Sequence, residues 1–234
     1  MKKFFQKIFA IKRENTHKII NILGFKIKIN SPQNNKIYVI RDGKKFPVKK
    51  IKGLKIKLRG KNNTIIVEEP YRFENSQISI KGENNTVSFQ STKYKILNLT
   101  INQCISFNNR KINIGKDFSC IKVQIDSWGD DTTIDIGNDC QFSKNIYIRS
   151  SDGHKIFNKN NLEDPINKSW GCSIGNHVWC GQSVHIGKNV RIADNTIIGE
   201  ASIVTKSFNE EFTAIAGNPA KIIKKELSWS RDNY

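Results

Sequence analysis

Acidic residues are scarce at one end of this 234-residue sequence. Residues 1 to 61 hold nineteen Lys and Arg against Glu14 and Asp42 alone, a local charge of +17, whereas residues 62 to 234 hold twenty against nineteen. The overall +18 therefore belongs to the N-terminal end. This speaks against a uniformly basic nucleic-acid coat and for a near-neutral body with a cationic front able to meet a membrane surface or an acidic polymer. Aromatic residues do not alternate with the basic ones as a base-stacking platform requires, so no nucleic-acid partner is expected. No apolar run is long enough to span a bilayer. Met1-Lys2-Lys3-Phe4-Phe5 opens like a secretory n-region, but Lys7, Lys12 and Arg13 break the apolar stretch that should follow, so export is not expected. The five cysteines (Cys104, Cys120, Cys140, Cys172, Cys180) are odd in number and form no CxxC pair. That supports neither a disulfide framework nor a zinc knuckle and fits a reducing cytosol.

A hydrophobic content of 37% over this length sustains one sizeable core. Phe4, Phe5, Ile8, Phe9 and Ile11 recur at helical spacing among Lys2, Lys3, Lys7, Lys12 and Arg13. The spacing predicts a short basic amphipathic helix, lying on anionic lipid or docked on the protein's own core. From Phe25 the period becomes two: Phe25, Ile27 and Ile29 alternate with Lys26 and Lys28, and Ile56 and Leu58 alternate with Lys55, Lys57 and Arg59. These are expected to be short strands with a solvated lysine face.

The most informative feature is a repeat. Stepping by six from Ile174, the chain reads Ile174, Cys180, Ile186, Ile192, Ile198, Val204. A short residue follows in most cases (Gly175, Gly181, Gly187, Ala193, Gly199), and the position four further on is small or β-branched (Val178, Val184, Val190, Thr196, Ser202). A six-residue apolar period belongs to a chain that turns a corner every sixth residue, so that three sides close a triangular coil with its apolar residues inward. That is a parallel β-solenoid, in which each coil buries its apolar face only by stacking on its neighbours. Upstream, Ile114-Gly115 and Ile136-Gly137 lie twenty-two residues apart, and Phe142 and Ile148 continue the register. Leu58 and Ile80 are also twenty-two apart, followed by Lys61-Asn62-Asn63-Thr64 and Glu83-Asn84-Asn85-Thr86, which predicts coils with larger corners. Cys120 and Cys180 fall in the inward phase and are expected to be small core residues. Ile148 to Ile174 spans twenty-six residues, so an excursion of about twenty leaves the coil there.

Ile174-Gly175-Asn176-His177-Val178-Trp179-Cys180-Gly181, Ile186-Gly187-Lys188-Asn189-Val190, Ile198-Gly199-Glu200-Ala201-Ser202-Ile203-Val204-Thr205-Lys206 and Ala216-Gly217-Asn218-Pro219-Ala220-Lys221 resemble the hexapeptide-repeat acyltransferases, most of all the sugar and polysaccharide O-acetyltransferases. The close resemblance covers residues 134 to 225. It implies an all-β, left-handed parallel β-helix, against the usual right-handed crossover preference, and a homotrimer with active sites between neighbouring subunits. The expected layout is a basic segment over 1–34, the β-helix over 35–215 with its excursion loop at 152–171, and a closing segment over 216–234 with a short C-terminal helix.

The resemblance also assigns roles. His154, in Ser150-Ser151-Asp152-Gly153-His154, stands where the family carries its catalytic histidine. It would take the proton of a sugar hydroxyl as that oxygen attacks the thioester of acetyl-CoA, with no covalent acyl-enzyme. Trp179 would lie beside the thioester, its ring excluding water and its backbone N–H polarising the carbonyl. Gly181, Gln182, Gly199, Ala201, Thr205, Lys206, Lys221 and Lys224 fall where relatives hold coenzyme A, the lysines acting on its phosphates. Arg149 and Asp152 are candidate acceptor contacts; Asp152 would alternatively orient the imidazole or serve as a turn residue. The implied acceptor is a sugar of a bacterial surface polysaccharide, neutral or anionic, and the cationic N-terminus is expected to contact the inner face of the membrane peripherally from the cytoplasm. Two alternatives are weighed. One is a catalytically silent solenoid that binds an acidic glycan or membrane. The other is a zinc site of His154, His177 and His185, which the eight-residue offset of the last two places on different corner phases and so disfavours; no metal is expected.

Overall fold

The structure, a computed structural model, describes residues 33–103 and 106–232, and by backbone alone residues 9–14, 17–22 and 25–30. The chain winds as a left-handed, three-sided prism whose sides are parallel sheets. The first face stacks Lys36–Arg41, Thr64–Glu68, Thr86–Phe89, Lys111–Ile114, Thr133–Ile136, Gly171–Ile174 and Val190–Ile192. The second stacks Phe73–Glu74, Ile96–Leu97, Ser119–Cys120, Gln141–Phe142, Trp179–Cys180, Ile197–Ile198 and Thr213–Gly217. The third stacks Leu54–Lys61, Ser76–Glu83, Leu99–Gln103, Val123–Asp126, Ile146–Arg149, His185–Ile186 and Ile203–Val204.

The six-step series lands one residue per face: Ile174, Cys180, Ile186, Ile192, Ile198 and Val204 are all buried, and so are Val178, Val184, Val190, Thr196 and Ser202. Both inward phases of the repeat are thus core. Registers carry like onto like, with Ile56, Ile78, Ile101, Ile125, Ile148, Ile186 and Val204 forming one column through the third face. The glycines of the Ile-Gly pairs permit this stacking: a Cβ on Gly115 would lie 2.5 Å from the Gly137 carbonyl carbon, and one on Gly137 2.5 Å from that of Gly175. Cys120, Cys140, Cys172 and Cys180 are free, buried thiols. Burial pushes the first three up to about 12 and Cys180 well above its ordinary value.

The twin Asn-Asn pairs stack at the corner between the third and first faces. Asn62, Asn84 and Asn109 take left-handed backbone, φ 56°, 58° and 57°, which asparagine tolerates better than most residues. Outside, Asn62 Nδ2 donates to Asn84 Oδ1 (3.2 Å), Asn84 to Asn109 (3.3 Å) and Asn109 to Asp131 (2.9 Å). Inside, the fully buried Asn63 Oδ1 accepts from Asn85 Nδ2 (3.0 Å), and Asn85 Oδ1 accepts from the buried Arg110 Nε (3.0 Å). The Arg110 guanidinium also donates to the carbonyls of Ser127 and Lys81, each at 2.6 Å.

Each end of the prism carries one antiparallel cap, on the first face at the foot and on the second at the top. At the foot, Lys44–Pro47 folds back antiparallel on Lys36–Arg41, its lysines and proline blunting the edge. At the top, the expected C-terminal helix is corrected. Ala220–Lys225 is a strand, antiparallel to Thr213–Gly217 across the Asn218-Pro219 turn, and no helix forms among the described residues. The exposed strand edge at the top, with β-branched Ile222 and Ile223 beside it, favours pairing over helix formation. Phe9–Ile11, expected as helix, lie in Phe9–Glu14, which pairs antiparallel with His17–Ile22, and that strand pairs with Phe25–Asn30. Residues 4–8 of that expectation lie outside the described residues, as does Cys104.

The inner ladder yields a test. Asn85→Ala removes the Oδ1 that accepts from the Arg110 backbone N–H and Nε and should cost about 1–3 kcal/mol in chemical denaturation. Asn84→Gly keeps the left-handed backbone on the exposed ladder and should cost less than about 1 kcal/mol.

Candidate active site

The excursion leaves the third face after Arg149 and returns at Gly171. Its base is built from partly buried hydrogen bonds: Ser150 Oγ accepts from the Trp128 N–H (2.8 Å) and donates to the Trp128 carbonyl (2.7 Å), and Ser169 Oγ donates to the Ser150 carbonyl. Asn189 Oδ1 accepts from the Trp170 N–H (3.0 Å), while its amide donates to the Lys168 carbonyl (2.8 Å). A short hairpin, Phe157–Asn158 with Asn161–Pro165, projects beyond. It exposes Ile156, Leu162 and Ile166, at 50%, 70% and 70%.

His154 sits in the first turn of this loop, with an exposed side chain on a braced backbone. Its carbonyl accepts from Asn167 Nδ2 (2.9 Å), and Asn167 Oδ1 accepts from the Ile156 N–H (2.8 Å). Asp152 does not reach the imidazole. Its Oδ2 accepts from Asn167 Nδ2 and from Lys188 Nζ, each at 2.8 Å, so this carboxylate ties the loop to the coil above. Partial burial works upward on its pKa, but the hydrogen bonds and charge of Lys188 and Asn167 outweigh it and hold the carboxyl below its ordinary value. Arg149 donates from Nε to the Ser151 carbonyl (2.6 Å), with its guanidinium 5.6 Å from the Trp128 ring centre. Gly153, at φ 89°, packs on the same indole, where a Cβ would lie 3.1 Å from it.

The upper coils carry the residues the resemblance assigns to coenzyme A. The Gly181 N–H donates to Ile198 O (2.8 Å) and that of Gly199 to Ile215 O (2.8 Å). A Cβ on Gly181 would press on the Glu200 backbone at 2.9 Å, and one on Gly199 on the Ala216 Cβ at 2.9 Å, so both serve coil stacking. Ala201, at φ 57°, donates its N–H to Gln182 O at a corner. Thr205, Lys206, Lys221 and Lys224 are exposed. Among the described residues the three lysines have no ion-pair partner, whereas neighbouring Lys225 holds Glu210 at 2.8 Å. The free ammonium groups at this end suit phosphate.

Trp179 stands on the second face, 40% exposed. One expected role is corrected: its N–H donates to Thr196 O (3.0 Å) within the ladder and is not available to polarise a carbonyl. Its ring borders a cleft of about 530 Å³ lined also by Tyr94, Lys95, Ser119, Gln141, Ser143 and Arg231. The C-terminal tail builds one wall. Arg231 donates to Asp139 Oδ1 (2.7 Å), Ser119 Oγ (2.8 Å), Gln141 Oε1 (3.1 Å) and the carbonyls of Asp117 and Cys140, with its guanidinium 4.1 Å from the Tyr94 ring centre. Trp229 stacks on His177 at 4.3 Å, donating to its carbonyl. His177 Nδ1 lies 2.7 Å from Asp139, while His185 stands on the third face against Tyr147. With His154 on the loop, the three histidines occupy three different places. The excursion contributes no residue to the Trp179 cleft, so one protomer does not bring His154 and Trp179 together.

No family model matches the chain. Over 178 residues it is 33% identical to the polysialic acid O-acetyltransferase of Neisseria meningitidis, a match covering 75% of this chain and 79% of the relative. The chain belongs to the hexapeptide-repeat sugar O-acetyltransferases. The polysialic acid O-acetyltransferase of Escherichia coli O1:K1 is 34% identical over 122 residues, 52% of this chain; there the chain spans only 37% of the relative, and only 46% of the galactoside O-acetyltransferase of Escherichia coli K12. Among solved structures, the polysialic acid O-acetyltransferase OatWY superposes with a TM-score of 0.65 at 27% identity, covering 86% of this chain and 90% of its own. NeuO, a polySia-specific acetyltransferase, gives 0.54 at 26% identity, covering 86% of each chain.

Within this O-acetyltransferase fold, sequence reasoning missed the residues that hold the site. Lys188 and Asn189 were findable, because they follow Ile186-Gly187 in the coil directly above the loop exit. Trp128, Asn167, Trp229 and Arg231 carry no periodic mark.

The tail lock has a pH signature. Asp139 is partly buried, which works upward, but hydrogen bonds and charge from Arg231 and His177 leave its carboxyl below the ordinary value. A depressed folded pKa gives stability that is complete above the unfolded pKa, about 3.9, and is lost as pH falls through the folded value. Trp229 fluorescence should therefore stay native down to the ordinary carboxylate range and change below it. Arg231→Ala should shift that change to higher pH and expose the tail to proteolysis.

Proposed function

We propose that this chain is an acetyl-CoA-dependent O-acetyltransferase that modifies a hydroxyl of an anionic bacterial surface polysaccharide, with polysialic acid the leading acceptor. The match over most of the Neisseria enzyme's length carries the reading. The geometry supports it: a histidine on a braced loop, a half-exposed indole beside a cleft, and unpaired lysines at the top.

In this reading the neutral His154 imidazole takes the acceptor hydroxyl proton as the oxygen attacks the thioester carbonyl carbon. The C–S bond then breaks and the imidazolium returns the proton to the departing thiolate. A sugar hydroxyl needs that base, and no cysteine of the described residues offers a thiolate, since all four are buried with raised pKa values. Trp179 shields the thioester from water by its ring alone. The pantetheine arm of acetyl-CoA would be held by Gly181, Gln182, Gly199 and Ala201 at the corner between the second and third faces, with Thr205 at the next corner, and Lys206, Lys221 and Lys224 would meet its phosphates.

The reading includes a homotrimer. Exposed Ile156, Leu162 and Ile166 on the excursion ask for cover. A neighbouring copy provides it and brings His154 of one protomer to the Trp179 cleft of the next. Peripheral contact of the first 34 residues with the inner face of the membrane belongs to the same proposal, and fractionation after removal of residues 1–24 should shift the protein to the soluble pool.

Incubation with labelled acetyl-CoA and polysialic acid tests the activity. His154→Ala should lower kcat by about 10²–10⁴-fold with the KM for acetyl-CoA little changed, whereas Lys221→Ala with Lys224→Ala should mainly raise that KM. No transfer by wild type, or full activity in His154→Ala, would leave only a silent glycan-binding solenoid.

A further inference from the structure

The third face begins with a concentration of positive charge that the reaction does not use. Leu54–Lys61 and Ser76–Glu83 pair in full register, setting Lys57 beside Ser79, Arg59 beside Lys81 and Lys61 beside Glu83. The period-two alternation turns Lys55, Lys57, Arg59 and Lys81 outward, all exposed. Lys61 is balanced by Glu83 at 3.6 Å. Among the described residues, no carboxylate lies within ion-pair distance of Lys55, Lys57, Arg59 or Lys81. Arg59 and Lys81 occupy adjacent strands about 4.8 Å apart, and like charges placed directly opposite destabilise a sheet. A cleft of about 180 Å³ lies among Lys57, Arg59, Ser79, Ile80 and Lys81. Three cations and a hydroxyl around one hollow match a carboxylate flanked by hydroxyls, the chemistry of an acidic sugar.

We propose that this hollow is a second acceptor subsite, which anchors an anionic polysaccharide away from the catalytic loop. The inference rests on the acceptor reading above. Above Ser79 the same register column continues through Asn102 and Asp126, the latter buried beneath Gln124 and Tyr147, to Arg149, where the excursion bearing His154 departs. From Lys57 to Arg149 the climb is four coil spacings, about 19 Å, a polar lane without a large exposed apolar side chain. Asp126, the one carboxylate of that column, is occupied by the Tyr147 hydroxyl (2.8 Å), Asn102 Nδ2 (3.1 Å) and Gln124 Nε2 (3.1 Å). A lipid surface fits less well, because lasting attachment combines cations with inserted apolar side chains and this hollow presents none. A polymer held at the foot raises its own effective concentration at the loop, so binding depends on chain length.

The test is direct binding, without catalysis. Fluorescence anisotropy compares labelled long-chain polysialic acid with a labelled dimer too short to span the lane. It is run on the full chain, on His154→Ala, and on a variant carrying Lys57→Gln, Arg59→Gln and Lys81→Gln; thermal melting checks that the variant is folded. Wild type and His154→Ala should both bind the long chain at least about 10-fold more tightly than the dimer, and the triple variant should lose that preference and most of its salt dependence. Equal affinity for both lengths in wild type, or an undiminished preference in the folded triple variant, overturns the subsite. So does binding to phosphatidylglycerol vesicles that the three substitutions abolish while polymer binding stays intact. Acetyl transfer without length preference removes the subsite and leaves the enzyme; length-dependent binding without transfer leaves the subsite and removes the enzyme.

Discussion

Every coil of this protein rests on the one below it with the same kind of residue in the same place. That vertical repetition satisfies the backbone, because each strand finds its hydrogen-bond partners one coil away. It also satisfies the side chains, since isoleucine meets isoleucine in the core and asparagine meets asparagine at the corner. A single coil buries nothing, so stability grows from neighbour to neighbour, and the two ends need a different solution. Lys44–Pro47 turns back at the foot and Ala220–Lys225 at the top, and the tail then descends the second face until Arg231 locks onto Asp139.

The same constraint governs where chemistry can sit. Outward side chains on a rung are held to a lattice about 4.8 Å apart along the axis, which suits a linear cofactor or polymer but fixes no bond-making geometry by itself. Catalytic placement requires a departure from the lattice. In the proposed reaction the excursion between Arg149 and Gly171 is that departure, and it is braced through Ser150, Asn167, Lys188 and Asn189. The site reading follows from this: a histidine carried off the prism by one chain and an indole left on the face of another.

Much of this was legible in the sequence because stacking imposes periodicity. The series from Ile174 to Val204 named core residues on all three faces, the twenty-two-residue spacing of Ile114 and Ile136 marked the earlier coils, and the loss of phase after Ile148 marked the excursion. Contacts that do not repeat left no such trace. Nothing in the tail announces that Trp229 stacks on His177, or that a free sheet edge makes Ala220–Lys225 a strand instead of part of a helix. Asp152 reads as a candidate for the imidazole, for the acceptor or for a turn; its carboxylate is held by Lys188, one coil above, and by Asn167, and does not reach the imidazole. The Trp179 N–H, expected at the carbonyl, belongs to the backbone ladder, as it must for any residue inside a rung.

The division of the site between copies is the claim on which the catalytic account turns, and subunit mixing tests it most directly. His154→Ala and Trp179→Ala chains, each nearly inactive alone, are co-expressed and the mixed trimers assayed for acetyl transfer. If one chain supplies the imidazole and its neighbour the indole, random equal mixing should restore about a quarter of wild-type activity. Mixed trimers that form and remain as inactive as either parent would contradict the account.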